Sequence, residues 1–163
     1  MNEILGQIYC WFESLFSQNF AEYLWGYNCD TQQYDNPNMF NQVGLLSIVV
    51  SLICVLLYYY AINHPRFSRW WHWLIVLIAS GAINLFIGYG WTISDFRNGV
   101  IGDCLMYVRN EQGDIVNQLI YETDCWMFGV TNFIVSSGFF IIFSFALRWG
   151  SSNCRYSPFV IRP

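Results

Sequence analysis

Three stretches of the chain contain no Asp, Glu, Lys or Arg: 36–65, 70–94 and 125–147. A helix rises 1.5 Å per residue, so about 20 apolar residues cross about 30 Å of hydrocarbon. Each stretch is long enough, and the expected spans are 43–62, 71–92 and 127–147. Trp70, Trp71 and Trp73 stand at one end of the second span and Trp91 at the other, while Trp126 and Trp149 bracket the third. Indole rings favour the headgroup boundary, so this is the pattern of an aromatic belt.

The flanking segments carry other periodicities. Over 4–25, Ile4, Ile8, Trp11, Phe12, Leu15, Phe16, Phe20, Tyr23 and Leu24 recur at three- and four-residue steps, with Gln7, Glu13, Ser14, Ser17, Gln18 and Glu22 filling much of the remainder. That spacing predicts an amphipathic helix. Its apolar face would lie in the outer membrane interface or on a partner, the other option being the chain's own outer loop. Asn36-Pro37-Asn38 marks a turn-rich connection into the first span. In 93–126, residues 105–109 and 115–121 flank Asn110-Glu111-Gln112-Gly113-Asp114, which predicts a β-hairpin with Gly113 at a positive φ. The expected fold is an all-α membrane protein. It is a three-transmembrane-helix bundle with an N-terminal amphipathic helix and a small disulfide-braced extracytoplasmic β-hairpin.

Charge adds a direction. Hydrophobic residues make up 55% of the chain and charged residues 11%, against about 25% charged in a soluble domain. All eleven acids fall in 1–42 and 93–126, with Arg97 and Arg109. The 63–70 loop and the 148–163 tail hold Arg66, Arg69, Arg148, Arg155 and Arg162 and no acid. Basic residues near membrane ends are retained in the cytoplasm. The expected protein is therefore a three-pass integral protein of the plasma (inner) membrane, with an extracytoplasmic N-terminus and a cytoplasmic C-terminus. No basic segment and cleavage site precede a short apolar stretch, so the first span is expected to serve as an uncleaved anchor. Arg66, Arg69, Arg148 and Arg155 are solvated positive-inside residues or contacts for lipid headgroups or a cytoplasmic partner.

Four cysteines, Cys10, Cys29, Cys104 and Cys125, fall on the translocated side in this topology. Cys104 and Cys125 flank the hairpin, and opposed antiparallel positions bring Cα atoms near disulfide range. The favoured pairing is 104–125 with 10–29, one of three connectivities. The hairpin bridge would contribute about 3 kcal/mol on the chain-entropy account. Four buried free thiols are the other reading. Cys54 and Cys154 are expected to stay reduced.

Within the spans there is no acid or base, which weighs against a pump or coupled transporter. Small and polar seams are present instead. Gly44, Ser47 and Ser51 step along the first span, Ser80, Asn84 and Gly88 along the second, and Gly129, Asn132 and Ser136 along the third. Such residues let backbones approach and bond across helices. They predict a closed bundle or, if turned towards further copies, a polar pore. His64 and His72 flank a proline turn and suggest no haem or metal geometry. No motif for a catalytic thiol, serine, zinc or phosphate loop occurs. No enzyme activity, cofactor or nucleic acid is expected; the expected partners are membrane lipid and other membrane or extracytoplasmic proteins, or copies of this chain. The functional expectation is a non-catalytic membrane subunit that docks partners through its acidic extracytoplasmic cap. Its rivals are an oligomeric ion-conducting pore with an acidic vestibule, and a membrane-acting toxin or its immunity partner. Three spans in this topology imply no function by themselves.

Overall fold

The computed structural model describes residues 4–62 and 70–147. Arg66, Arg69, Arg148, Arg155, His64 and Cys154 lie outside the described residues.

Three long helices form the body. They are α3 (Met39–Leu56, continued by a π-helical turn at Leu57–Ala61), α4 (Trp70–Arg97) and α6 (Glu122–Leu147). All three are long and apolar enough to cross a membrane. They run past the expected spans at the end where α3 and α6 begin. There Asn38 Oδ1 accepts the Asn41 amide at 3.1 Å and starts α3. Asp124 Oδ2 accepts the Tyr121 amide at 2.7 Å at the start of α6, the reach-back half of a capping box.

The antiparallel pair α4 and α6 is the closest packed. A Cβ on Gly129 would stand 3.0 Å from the Leu85 carbonyl oxygen, so only glycine lets these backbones come so near. The nine seam residues, Gly44, Ser47, Ser51, Ser80, Asn84, Gly88, Gly129, Asn132 and Ser136, are all buried in the bundle. Its lateral surface carries Leu45, Val49, Ile53, Ile75, Ile83, Phe86, Ile134 and Ile142, all exposed. The helices are inverted relative to a water-soluble bundle, with the polar seam inside and the apolar residues outside.

One end of the body carries a cap. The segment expected as one amphipathic helix is broken into α1 (Ile4–Cys10), a 3-10 turn at Glu13–Leu15 and α2 (Gln18–Trp25). Ser17 takes an extended backbone and its Oγ accepts the Phe20 amide at 3.4 Å, so α2 starts afresh there. A straight helix over 4–25 would run about 33 Å, far past the end of a bundle whose axes lie about 8–10 Å apart. Folding it back buries Tyr9, Phe16, Phe20 and Leu24 together with Phe40 of α3 and Phe128 of α6. Most of the amphipathic face is thus packed within the chain, while Trp11 and Leu15 of that face stay exposed. At Gly26, φ 89° ends α2, and a Cβ there would strike the Asn36 carbonyl.

The hairpin is shorter than expected. Strand β1 (Tyr107–Arg109) pairs antiparallel with β2 (Ile115–Gln118), with a bulge between Val108 and Arg109. Gly113 takes φ 89°, as its position in the turn required. Leu105 and Met106 belong instead to a helical turn, α5 (Asp103–Met106), and are buried.

The disulfide pairing differs from the expected one. Cys29 bridges Cys104 across a Cα separation of 5.9 Å, and Cys10 and Cys125 are free. The 104–125 pairing assumed that the second arm ran on to Cys125. Helix α6 instead begins at Glu122, which places Cys125 in its first turn, buried. Cys104, on α5, meets the loop after α2. The bridge therefore ties the base of the hairpin to that loop and does not join the two arms.

Candidate functional site

Two polar constellations stand out, one inside the bundle and one in the cap. The first joins all three long helices to α1. Tyr9 Oη donates to Asn132 Oδ1 at 2.6 Å, and Asn132 Nδ2 donates to the Asn84 carbonyl oxygen at 2.6 Å. The Ser47 hydroxyl is 2.8 Å from Asn132 Oδ1 and 2.9 Å from the Val43 carbonyl, one proton serving two acceptors. A layer further along, Ser51 Oγ donates to the Ser136 carbonyl at 3.1 Å. Beyond a plug of Val55 and Phe140, Ser144 Oγ accepts Trp73 Nε1 at 2.9 Å and lies 2.7 Å from Tyr59 Oη. All of these groups are buried, and their bonds connect helices of a single chain. They are a framework that fixes helix register.

The seam read from the sequence is thus brought together, around Asn132 above all. Tyr9, Tyr59, Trp73 and Ser144 were missed. Ser144 continues the four-residue step from Ser136 through Phe140 and was legible on that ground. Tyr9 was not, because nothing local shows that it reaches a residue so distant in sequence.

The second constellation is a cleft of about 590 Å³ between the loop after α2, the start of α3 and the end of α4. Tyr23, Tyr27, Met39, Trp91 and Val100 give it aromatic and apolar walls, and Asp30, Asp95 and Asp103 give it charge. Cys29 and Gly102 line it too, so the disulfide forms part of its frame. Tyr23 Oη donates to Asp95 Oδ2 at 2.6 Å. Burial first, then the bond to Asp95 and its charge, pushes the Tyr23 phenol well above its ordinary value. The hydroxyl therefore stays a donor at physiological pH.

Arg109 pairs with Asp103 at 2.8 Å and Arg97 with Glu122 at 3.4 Å, both in solvent-exposed positions. Such exposed pairs contribute about 0–1 kcal/mol. Among the described residues no arginine pairs with Asp30 or Asp95. Nor, among those residues, do three His, Cys, Asp or Glu side chains converge to hold a metal ion. The carboxylates act as spread negative charge, suited to a cationic group flanked by aromatic rings.

No family model, curated protein or solved structure matches this chain.

Proposed function

We propose that this chain is a non-catalytic subunit of a plasma (inner) membrane complex that docks a partner protein through the acidic cleft of its cap. In this reading α3, α4 and α6 cross the bilayer. Residues 1–42 and 93–126 are extracytoplasmic, and 63–70 and the 148–163 tail are cytoplasmic. The sorting of acids from arginines supports that orientation.

The observation that carries the docking role is the cleft. It offers Asp30 and Asp95 without arginine partners among the described residues, beside Trp91 and Tyr27. A Lys- or Arg-bearing segment of a partner fits that chemistry, through charge pairing and cation–π contact. An oligomeric pore would need a polar face on the outside of the bundle. That outside is apolar, and we therefore favour the scaffold.

The test is purification in mild detergent with p-benzoylphenylalanine at Val100, an exposed residue of the cleft. Photolysis is expected to link it to a basic segment of one co-purifying protein. Replacing Asp30 and Asp95 together by Asn should abolish that product while the folded yield is unchanged. Recovery of a monomer with no partner and no crosslink would refute the proposal.

A further inference from the structure

The structure supplies its own depth scale. Asn132 bonds both the Ser47 hydroxyl and the Asn84 carbonyl, so α3, α4 and α6 share a level there. Counting along α6 from Asn132 puts Trp126 about 9 Å nearer the cap, and counting along α4 from Asn84 puts Trp91 about 10 Å nearer it. Both indoles are exposed and thus form one band. Trp71, also exposed, lies about 30 Å away from Trp91 along α4, which is the thickness of a hydrocarbon core. The two tryptophan levels mark out a membrane slab.

Helix α1 falls inside that slab. Gly44 is one turn nearer the cap than Ser47, about 5 Å inside the Trp91–Trp126 band. A Cβ on Gly44 would lie 3.3 Å from Leu5 Cδ1 and 3.3 Å from Tyr9 Cε2, so α1 packs at this depth. Tyr9 Oη reaches deeper, to Asn132. The chain then climbs, and the Ser17 amide bonds Asp124 Oδ1 just beyond Trp126. Trp11 follows α1 in the sequence between these fixed points and is 80% exposed. Residues 4–12 contain no charge.

We infer that α1 is a lipid-seated element, embedded in the outer leaflet against α3 and α6, with Trp11 anchoring in the headgroup boundary. The occupant of its exposed face is phospholipid. This uncharged segment, which exposes Gln7 and Trp11 and half-exposes Leu5 and Ile8, adjoins the apolar flank of the bundle. A soluble partner would have to displace lipid to reach it. The inference rests on the membrane-spanning reading of the three long helices.

The test places p-benzoylphenylalanine singly at Trp11, Ile83 and Val116 in the full chain. Each variant is reconstituted in phosphatidylethanolamine–phosphatidylglycerol vesicles, and lipid adducts are counted by mass spectrometry after photolysis. Ile83 is exposed at mid-span and Val116 is exposed on the hairpin, so neither replacement disturbs packing. Adducts at position 11 are expected to match those at 83 and to exceed those at 116 by on the order of tenfold, as the partition between acyl chains and water implies. Abundant lipid adducts at 83, with a yield at 11 no higher than at 116, would overturn the inference alone. Absence of lipid adducts at 83 would overturn the membrane-spanning reading, and this inference with it.

Discussion

Replacing Asn132 with Leu tests whether the buried polar node fixes the bundle. Its side chain serves three partners: Tyr9 Oη, the Ser47 hydroxyl and the Asn84 carbonyl. Interhelical hydrogen bonds in bilayers contribute about 0.6–2 kcal/mol each. Ser47 keeps its bond to Val43, which lowers its share of the loss. Tyr9 loses its 2.6 Å acceptor and is left with the Ser47 hydroxyl beside it. A buried hydroxyl with a poorer partner costs up to about 1–3 kcal/mol. Asn132→Leu should therefore destabilise by about 2–4 kcal/mol. Tyr9→Phe removes the hydroxyl that Asn132→Leu strands. The double variant should then be less destabilised than the sum of the two by about 1–2 kcal/mol. Unfolding of the reconstituted protein, followed by steric trapping, measures all three variants. Additivity within about 0.5 kcal/mol would show that Tyr9 and Asn132 are not coupled, and the node would be no framework at all.

Four further outcomes are expected. Cys104→Ser removes a bridge that closes a loop of 75 residues, worth at most about 4.5 kcal/mol on the chain-entropy account; on the membrane-spanning reading the realised loss should be smaller, because inserted helices would already restrict the unfolded chain. Alkylation of the denatured protein before and after reduction should show Cys29 and Cys104 protected together until reduction and Cys10 alkylated without it, and a shared protection of Cys10 with Cys29 would contradict the pairing. Gly129→Val, forced against the Leu85 carbonyl, should cost about 1–3 kcal/mol by overpacking, read as a lower thermal midpoint in detergent. The raised Tyr23 phenol favours the protonated form in the folded state, so its stabilisation is complete below the ordinary value of 10.0 and fades as pH rises above it. Wild type should lose stability above about pH 10 more steeply than Tyr23→Phe, and identical alkaline profiles would refute that assignment.

The sequence by itself determined the body of the molecule. Three uncharged stretches of membrane length point to three long helices, the form in which a segment meets its own backbone hydrogen bonds if it crosses hydrocarbon. The step of three or four between Gly44, Ser47 and Ser51, or between Gly129, Asn132 and Ser136, likewise marks an inner face, since 3.6 residues make a turn. Gly113 announced its turn for an equally local reason, a positive φ that other residues avoid. Tertiary structure alone decided what depends on distant partners. The segment 4–25 has the periodicity of one helix, yet it breaks after Cys10 and starts afresh at Ser17, because the end of the bundle is too narrow to bury a straight one. Cys104 pairs with Cys29 because α6 takes up Cys125 first, and helix onset there follows from capping by Asp124. The cleft joins Asp30, which precedes α3, to Asp95, which sits in the last turn of α4. The seat of α1 against the bundle follows from Tyr9 meeting Asn132, a contact across most of the chain, and no periodicity records it.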